Sequence, residues 1–300
     1  MPNHEAVLTD VTGRDGFQME KEWIPTDRKV EILNGILTSG VKRLEATSFV
    51  SPKAVPQLKD AKEVLARIDR RDAEIIVLVP NLKGAELARE AGADTINFVL
   101  SISETHNQKN VRRTVEESLV QLKEITGVFS PDRIILSLGT TFGCPFEGLY
   151  PVDKVKAVIG KVADMGLSQI TLCDTTGMAN PKQVADFVRT LAAHFPEQRF
   201  ALHLHNTRGM GVANLIAGYQ EGIRHFDAAL GGIGGCPFAP GASGNVSLDD
   251  VAHMLELMDV ETGVDLEGLL GTAEKMQEIL GYELPGQVMK AGTAKTLHPV

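Results

Sequence analysis

The order of apolar and polar positions along the chain predicts short buried strands that alternate with amphipathic helices. Runs of apolar and β-branched residues predict eight strands, over residues 6–9, 41–47, 74–79, 95–100, 134–138, 170–173, 200–206 and 225–230. Apolar residues at helical spacing predict helices over 27–39, 54–68, 84–91, 114–126, 151–165, 181–195 and 211–222. Residues 101–110 and 140–150 are expected to be loops. Eight strands alternating with helices favour a (β/α)8 barrel, a TIM barrel, over an open doubly wound sheet.

The strand predicted at 200–206 carries two histidines at alternate positions. His203 and His205 point to the same side of that strand, whereas Leu202 and Leu204 point to the other side. Two converging buried imidazoles suit a divalent cation, because neutral imidazole is a good metal ligand. The spacing alone equally allows each histidine to hydrogen-bond a backbone carbonyl. The choice between a metal site and two structural histidines therefore depends on the rest of the chain.

Further polar residues fall at the carboxyl ends of the predicted strands, where the active sites of such barrels lie. Arg14 and Asp15 follow the first strand, Glu45 lies near the end of the second, Asp174 follows the sixth and Asn245 follows the eighth. This clustering favours a functional site over scattered structural residues. Taken singly, Arg14 and Asp15 could form a solvated ion pair, Glu45 could form a salt bridge to an arginine, and Asp174 could stabilise a turn.

Length, composition and charge narrow the class of protein. A chain of 300 residues with 43% hydrophobic residues can bury a large core. We expect one barrel domain over 1–300, in which 265–300 form an extra C-terminal helix, at 266–280, and a tail. The net charge of −9 argues against nucleic-acid and anionic-membrane partners. The C-terminal helix could cover the barrel or pack on a second subunit of a homo-oligomer.

The cysteines and the N-terminus bear on the cellular compartment. Cys144, Cys173 and Cys236 are far apart and form no Cys-x-x-Cys pair, which argues against a disulfide framework and a structural zinc site. The polar N-terminus lacks the apolar core of a signal peptide, and no apolar run approaches the roughly 18 residues of a membrane span. The sequence therefore predicts a soluble, cytoplasmic protein. The glycine run at 231–235 does not match a phosphate-binding loop and instead suits a flexible loop that closes over a site.

Several stretches of the chain form long, ordered motifs. They are Arg14-Asp15-Gly16-Phe17-Gln18, Thr47-Ser48-Phe49-Val50-Ser51-Pro52-Lys53, Val79-Pro80-Asn81, Gly143-Cys144-Pro145-Phe146-Glu147-Gly148, the histidine pair, and residues 232–245, which include Cys236. Together they span nearly the whole chain. They resemble the motifs of 3-hydroxy-3-methylglutaryl-CoA lyases, a family of barrel metallolyases.

The resemblance implies an activity and a set of site residues. The implied enzyme is a metal-dependent carbon–carbon lyase that cleaves a 3-hydroxyacyl-CoA, in first place 3-hydroxy-3-methylglutaryl-CoA, to acetyl-CoA and acetoacetate. The implied metal ligands are Asp15, His203, His205 and Asn245. The expected ion is Mg²⁺ or Mn²⁺, although the ligand chemistry alone also accepts Zn²⁺ or Co²⁺. The implied catalytic residues are Arg14, which stabilises the enolate, together with Asp15, Glu45, Asp174, and Cys236, the acid on a mobile loop. Asp174 and Gln18 would support substrate and ligands.

The chain also departs from the family pattern. It reads Asn206-Thr207-Arg208-Gly209-Met210 where Asp-Thr-Tyr-Gly-Gln is usual, and Thr12-Gly13 where Gly-Pro is usual. Arg208 at the barrel rim would bind an anionic substrate group or a CoA phosphate, unless it points to solvent. A related 3-hydroxyacyl-CoA is therefore the alternative substrate. Two further alternatives are a synthase that condenses acetyl-CoA with a keto acid, and a catalytically silent scaffold that binds CoA or metal.

Overall fold

The computed structural model describes residues 5–235 and 244–297, and its centre is a closed barrel of eight parallel strands. The strands are β1 (Val7–Asp10), β2 (Arg43–Ser48), β3 (Glu74–Val79), β4 (Thr95–Ser101), β5 (Ile134–Gly139), β6 (Gln169–Asp174), β7 (Arg199–Leu204) and β8 (His225–Ala228). Each lies within about two residues of its predicted position. The predicted (β/α)8 barrel is confirmed.

Strand register decides which side chains face the inside of the barrel. β1 pairs with both β2 and β8, which closes the sheet. β6 and β7 pair with Cys173 opposite His203 and with Asp174 opposite Leu204. Because side chains alternate along a strand, Cys173 and His203 share the inner face, whereas Asp174 and Leu204 face the surrounding helices.

The helices lie outside the barrel. They are α1 (Thr26–Thr38), α2 (Ala61–Arg67), α3 (Leu82–Glu90), α4 (Glu104–Val111), α5 (Val115–Ile125), α6 (Val152–Ala163), α7 (Pro181–His194), α8 (Gly211–Gln220), α9 (Leu248–Leu257), α10 (Leu266–Leu280) and α11 (Val288–Ala291). Their apolar faces, such as Leu33 and Ile36 of α1, form one continuous core with the outer face of the barrel. The predicted C-terminal helix is α10, which packs on α1. None of the described helices is long and apolar enough to cross a membrane.

Two segments near the rim differ from the expectation. The helix predicted at 54–68 is shorter, because a 3-10 turn at Pro56–Leu58 precedes α2. The loop predicted at 101–110 contains α4. Ser103 caps that helix by accepting a hydrogen bond from the amide of His106 at 2.9 Å. A short polar helix with few apolar positions has a weak periodic signal, and its cap is the feature that marks it.

Two further elements were absent from the prediction. The loop at 140–150 holds a small antiparallel hairpin, Gly143–Cys144 with Gly148–Leu149. α9 follows β8 after a long connection, and Leu248, Val251 and Leu255 on its buried face have the helical spacing that marks it.

The turn after β1 carries two of the predicted site residues. Thr12–Gly16 form one turn of π-helix, in which three consecutive amides donate to the carbonyl of Val11. The turn lies directly against β2, since a Cβ on Gly13 would be 2.4 Å from the carbonyl oxygen of Ala46. In this chain glycine allows the approach, which brings the turn to the end of β2.

We expect Gly13→Ala to destabilise the protein by about 1–3 kcal/mol, the usual cost of forcing a methyl group into a close-packed region. Gly160→Ala in α6 is the matched control, because a Cβ at Gly160 meets nothing within 4 Å. Alanine there should raise the free energy of unfolding by about 0.5–1 kcal/mol. Urea denaturation measures both changes. A Gly13→Ala protein as stable as the wild type would contradict the close approach to Ala46.

Candidate active site

Three of the predicted metal ligands converge at the carboxyl end of the barrel. Nε2 of His203 lies 3.1 Å from Nε2 of His205, and Oδ2 of Asp15 lies 4.0 Å from the first nitrogen and 3.8 Å from the second. All three side chains are buried. Neighbouring ligands of an octahedral cation with bonds of about 2.1 Å are about 3 Å apart. These three residues could therefore hold a divalent cation.

Asn245 lies beside this cluster. Its Nδ2 donates to Oδ2 of Asp15 at 2.7 Å and to the carbonyl of Ile233 at 3.0 Å, which fixes the orientation of the amide. Its Oδ1 is buried and has no hydrogen-bond partner in the described part of the chain. A buried amide oxygen without a donor is costly, and such an oxygen is a good ligand for a hard divalent cation. The residues present therefore fit a metal site.

The two histidines differ in their surroundings. Nδ1 of His203 lies 3.3 Å from Oδ2 of Asp227, a contact that favours a proton on Nδ1 and leaves Nε2 free as a ligand. Burial disfavours the charged form of His203, but Asp227 and Asp15 outweigh burial and raise its pKa. Burial lowers the pKa of His205 to about 4. At neutral pH the His205 imidazole is therefore uncharged, which is the form that binds metal.

Arg14 joins the metal-ligand cluster to Glu45. Its Nε donates to Oε2 of Glu45 at 2.6 Å, and its Nη1 donates to Oδ1 of Asp15. Gln18 donates to the same Asp15 oxygen at 2.9 Å. Burial opposes the charge on Arg14, but the two carboxylates outweigh burial and raise its pKa, so Arg14 stays cationic. The ion pair of Arg14 and Asp15 is thus buried rather than solvated.

The two carboxylates beside Arg14 have opposite pKa shifts. Burial disfavours ionisation of Asp15, but Arg14 and the two imidazoles outweigh burial and hold its pKa below the ordinary value. Burial raises the pKa of Glu45, and hydrogen bonds from Arg14 and Asn97 offset only part of that rise. The bond from Nδ2 of Asn97 to Oε1 of Glu45 is 2.7 Å long. Glu45 is therefore held on both oxygens.

A second buried network fastens the turn after β1 to the loop after β8. Asp10 accepts hydrogen bonds from the amide of Thr12 at 3.0 Å and from its hydroxyl at 2.7 Å. The same hydroxyl accepts from the amide of Leu230 at 2.8 Å. Burial raises the pKa of Asp10 to about 7. Thr12 thus supplies the hydroxyl that links the two loops.

Asp174 and Arg208 meet at the loop after β6. The Asp174 carboxylate accepts from two backbone amides of this loop, at 2.8 and 3.2 Å, and burial raises its pKa to about 6. Nη1 of Arg208 donates to two carbonyls of the same loop, both at 2.9 Å. Both side chains order the loop. The bonds of Asp174 are those of a residue that stabilises a turn, which is the alternative role given for it above. Their roles toward a substrate stay predictions.

The predicted catalytic cysteine, Cys236, lies outside the described residues. Cys144 and Cys173 are buried and free. Burial raises the pKa of Cys173, so its thiol on the inner face of β6 stays protonated at neutral pH.

Sequence reasoning missed three polar residues that support the site, namely Asp10, Asn97 and Asp227. Each lies within a strand of the barrel, and a polar side chain in a buried strand is the signal that could have identified it. The partners of Asn97 and Asp227 could not be inferred, because they lie on other strands of the barrel.

Comparison with known proteins identifies the family. The HMGL-like family model matches residues 5–276. This chain belongs to the HMGL-like family. It is 41% identical over 286 aligned positions to a hydroxymethylglutaryl-CoA lyase of Bacillus subtilis, and the alignment covers 94% of this chain and 96% of that protein. It is 40% identical over 302 aligned positions to the (R)-citramalyl-CoA lyase of Chloroflexus aurantiacus, and this alignment covers 96% of this chain and 95% of that protein.

A solved structure agrees with this assignment. The chain matches an HMG-CoA lyase from Acinetobacter baumannii, in complex with coenzyme A and 3-methylmalate, with a TM-score of 0.95 and 45% identity over 99% of this chain and 98% of that one. The resemblance to carbon–carbon lyases of this family is confirmed.

We expect Asp227→Asn to weaken Mn²⁺ binding by roughly 10–100-fold, the usual effect of losing the partner of a metal-binding histidine. His203→Ala should weaken it further, because a ligand is lost. Titration calorimetry with Mn²⁺ measures both. His194→Ala, on an exposed position at the end of α7, is the control and should bind Mn²⁺ like the wild type. Wild-type affinity in His203→Ala would refute the ligand assignment.

Proposed function

We propose that this protein is a divalent-metal-dependent lyase that cleaves a 3-hydroxyacyl-CoA and releases acetyl-CoA. The observation that carries the proposal is the direct contact of Arg14 with Asp15 inside a buried metal-ligand cluster. Cleavage of the bond between C2 and C3 of an acyl thioester places negative charge on the thioester oxygen as the enolate forms. A permanent cation beside a metal site is suited to stabilise that charge.

Asp15, His203, His205 and Asn245 would hold the metal, which we propose to be Mg²⁺ or Mn²⁺. Two imidazole nitrogens and two oxygens form a mixed donor set, which suits these ions better than a set of thiolates would. When bound, the cation acts as a Lewis acid that lowers the pKa of the substrate hydroxyl. The buried Oδ1 of Asn245 supports this assignment.

The reaction breaks the bond between C2 and C3 of the acyl chain. The C3 hydroxyl loses its proton to a base and becomes the carbonyl of the departing product, while the electron pair of the broken bond forms the enolate. Arg14 faces the enolate oxygen, and Glu45 and Asp15 hold its guanidinium in place. A proton then adds to C2 and gives acetyl-CoA. We assign this proton to Cys236, as the family resemblance implies.

A cavity of about 540 Å³ beside the rim suits the CoA part of the substrate. It is lined by residues 19–25, by residues 232–234 and by Tyr282. Gly234 in the wall of this cavity packs against the turn that carries Arg14 and Asp15, because a Cβ on Gly234 would lie 2.8 Å from the backbone oxygen of Asp15. We propose that the thioester end of a bound CoA ester extends from this cavity toward Arg14.

Trp23 lines this cavity, and two lysines contact its ring. The ammonium groups of Lys29 and Lys59 lie 4.0 and 4.1 Å from the centroid of the Trp23 ring, and the ring is 40% exposed. Lys29 is buried and paired with Asp60, whereas Lys59 is exposed. The Lys59 ammonium and the exposed aromatic ring together suit a nucleotide that carries phosphates. We propose that the nucleotide of CoA binds beside Trp23.

Two acyl groups are the leading candidates. 3-Hydroxy-3-methylglutaryl-CoA is favoured by the relative from Bacillus subtilis, and citramalyl-CoA by the relative from Chloroflexus aurantiacus, which is about equally similar to this chain. The two substrates differ by one methylene group before the distal carboxylate. Arg208 at the rim, on the loop after β7, is the residue we propose to sense that carboxylate.

The proposal is tested by incubating the purified protein and Mn²⁺ with a panel of 3-hydroxyacyl-CoA esters. Release of acetyl-CoA is followed together with the second product, which is acetoacetate from the first candidate and pyruvate from the second. The ester with the highest kcat/KM identifies the substrate. Failure of every ester to release acetyl-CoA would refute the proposed function.

We expect Arg14→Gln to lower kcat by roughly 10²–10³, the scale observed when a donor to an oxyanion is removed. KM should change little, because Arg14 acts on charge that develops after the substrate has bound. Arg189→Gln, in an exposed ion pair on α7, is the control and should keep wild-type kinetics. An effect of Arg14→Gln on KM alone would contradict the role assigned to Arg14.

Trp23 offers a direct readout of CoA binding, since the chain contains a single tryptophan. Titration with CoA should quench its fluorescence in a saturable way, because the nucleotide stacks on or near the exposed ring. Pantetheine, which lacks the nucleotide, is the matched control ligand and should leave the emission unchanged. Emission that stays constant at CoA concentrations that inhibit cleavage would exclude Trp23 from the CoA site.

A further inference from the structure

Asn97 lies in β4, inside the barrel, and is 4% exposed. Its Nδ2 donates to Oε1 of Glu45 at 2.7 Å. Its Oδ1 is buried and has no hydrogen-bond partner in residues 5–235 and 244–297. Because a carboxylate oxygen can only accept from the amide, Glu45 fixes which end of Asn97 faces it. The Nδ2 group of Asn97 therefore faces Glu45.

Glu45 has another partner on its second oxygen. Nε of Arg14 donates to Oε2 at 2.6 Å, and the same guanidinium donates to Asp15. The contacts therefore run in one line from Asn97 through Glu45 and Arg14 to a proposed metal ligand. Each contact restricts the rotation of the next side chain along this line.

We propose that Asn97 is a positioning residue for the cleavage reaction, which holds Glu45 so that Arg14 faces the enolate oxygen. This inference rests on the proposed function for its catalytic consequence. Without Asn97, Oε1 of Glu45 would be left buried without this donor, and the carboxylate could turn away from Arg14 or take up a proton. Arg14 would then keep Asp15 as its main partner and would shift toward the metal site.

The charges around Glu45 explain why a neutral donor is suited to this position. The groups that interact with Glu45 are Arg14, which favours its ionised form, and Asp10, Cys173 and Asp227. The two aspartates disfavour a further negative charge. A second cation in place of Asn97 would compete with Arg14 for the carboxylate, whereas an amide stabilises the charge of Glu45 and leaves its pairing with Arg14 intact.

Two substitutions separate the hydrogen bond from the shape of the side chain. Asn97→Leu has a similar size and no donor, and Asn97→Asp has the same shape and only acceptors when ionised. The pKa of Glu45 is measured by ¹³C NMR of carboxylate-labelled protein, with the signal assigned by its loss in Glu45→Gln. Both substitutions should raise that pKa, since the ionised form loses a donor.

The same variants are then compared in the cleavage assay. We expect kcat to fall by roughly 10–100-fold, the scale of one lost hydrogen bond to a charged group, with KM little changed. The acid limb of the pH profile of kcat should move to higher pH, because Glu45 then ionises at higher pH. Loss of stability alone would not produce this shift.

Asn214→Leu is the control. Asn214 is also a buried asparagine, 1% exposed, whose Nδ2 donates to a backbone carbonyl and whose Oδ1 has no partner in the described residues. It should lose stability without a change in the pKa of Glu45. An unchanged Glu45 pKa in both Asn97 variants would overturn the positioning role, even if the protein cleaves acyl-CoA. A raised pKa in a protein that cleaves no ester would support the contact and refute the proposed function.

Discussion

Arg14 carries a positive charge into a site with little access to water, and the charge is stable there because Asp15 and Glu45 lie on either side of it. Removing either carboxylate would leave the guanidinium partly unpaired. Asp15 is also the carboxylate of the cluster that could hold a metal ion, so the same contact would couple the Arg14 cation to a cation bound there. The charge of Arg14 and the charge at the metal-ligand cluster therefore influence each other through Asp15.

The barrel supplies this arrangement through backbone geometry. Arg14 and Asp15 come from one turn after β1, Glu45 from β2, and the histidine pair from the end of β7 and the residue that follows it. Close contact at Gly13 brings the turn against β2, and the network of Asp10 and Thr12 ties it to the loop after β8. Side chains from distant parts of the sequence thus meet because parallel strands end at the same rim.

The sequence contained enough to predict the barrel and the position of most site residues. The alternation of His203 and His205 predicted their convergence, because a strand has a strict period of two. Glu45 was recognised as paired or functional, since it lies in a buried strand. Asn97 and Asp227 were not found, because their importance depends on partners across the barrel that no local pattern reveals. Segment 101–110 was predicted as a loop, because α4 has too few apolar positions to show a helical period.

We propose that the buried carboxylate and imidazole cluster holds a divalent cation on which cleavage of a 3-hydroxyacyl-CoA depends. The most direct test is acetyl-CoA release by protein stripped of metal with a chelator and then resupplied with Mn²⁺, with metal content measured by mass spectrometry. We expect release to stop on stripping and to return in proportion to bound Mn²⁺, up to one ion per chain. Full release by protein shown to be free of metal would contradict it.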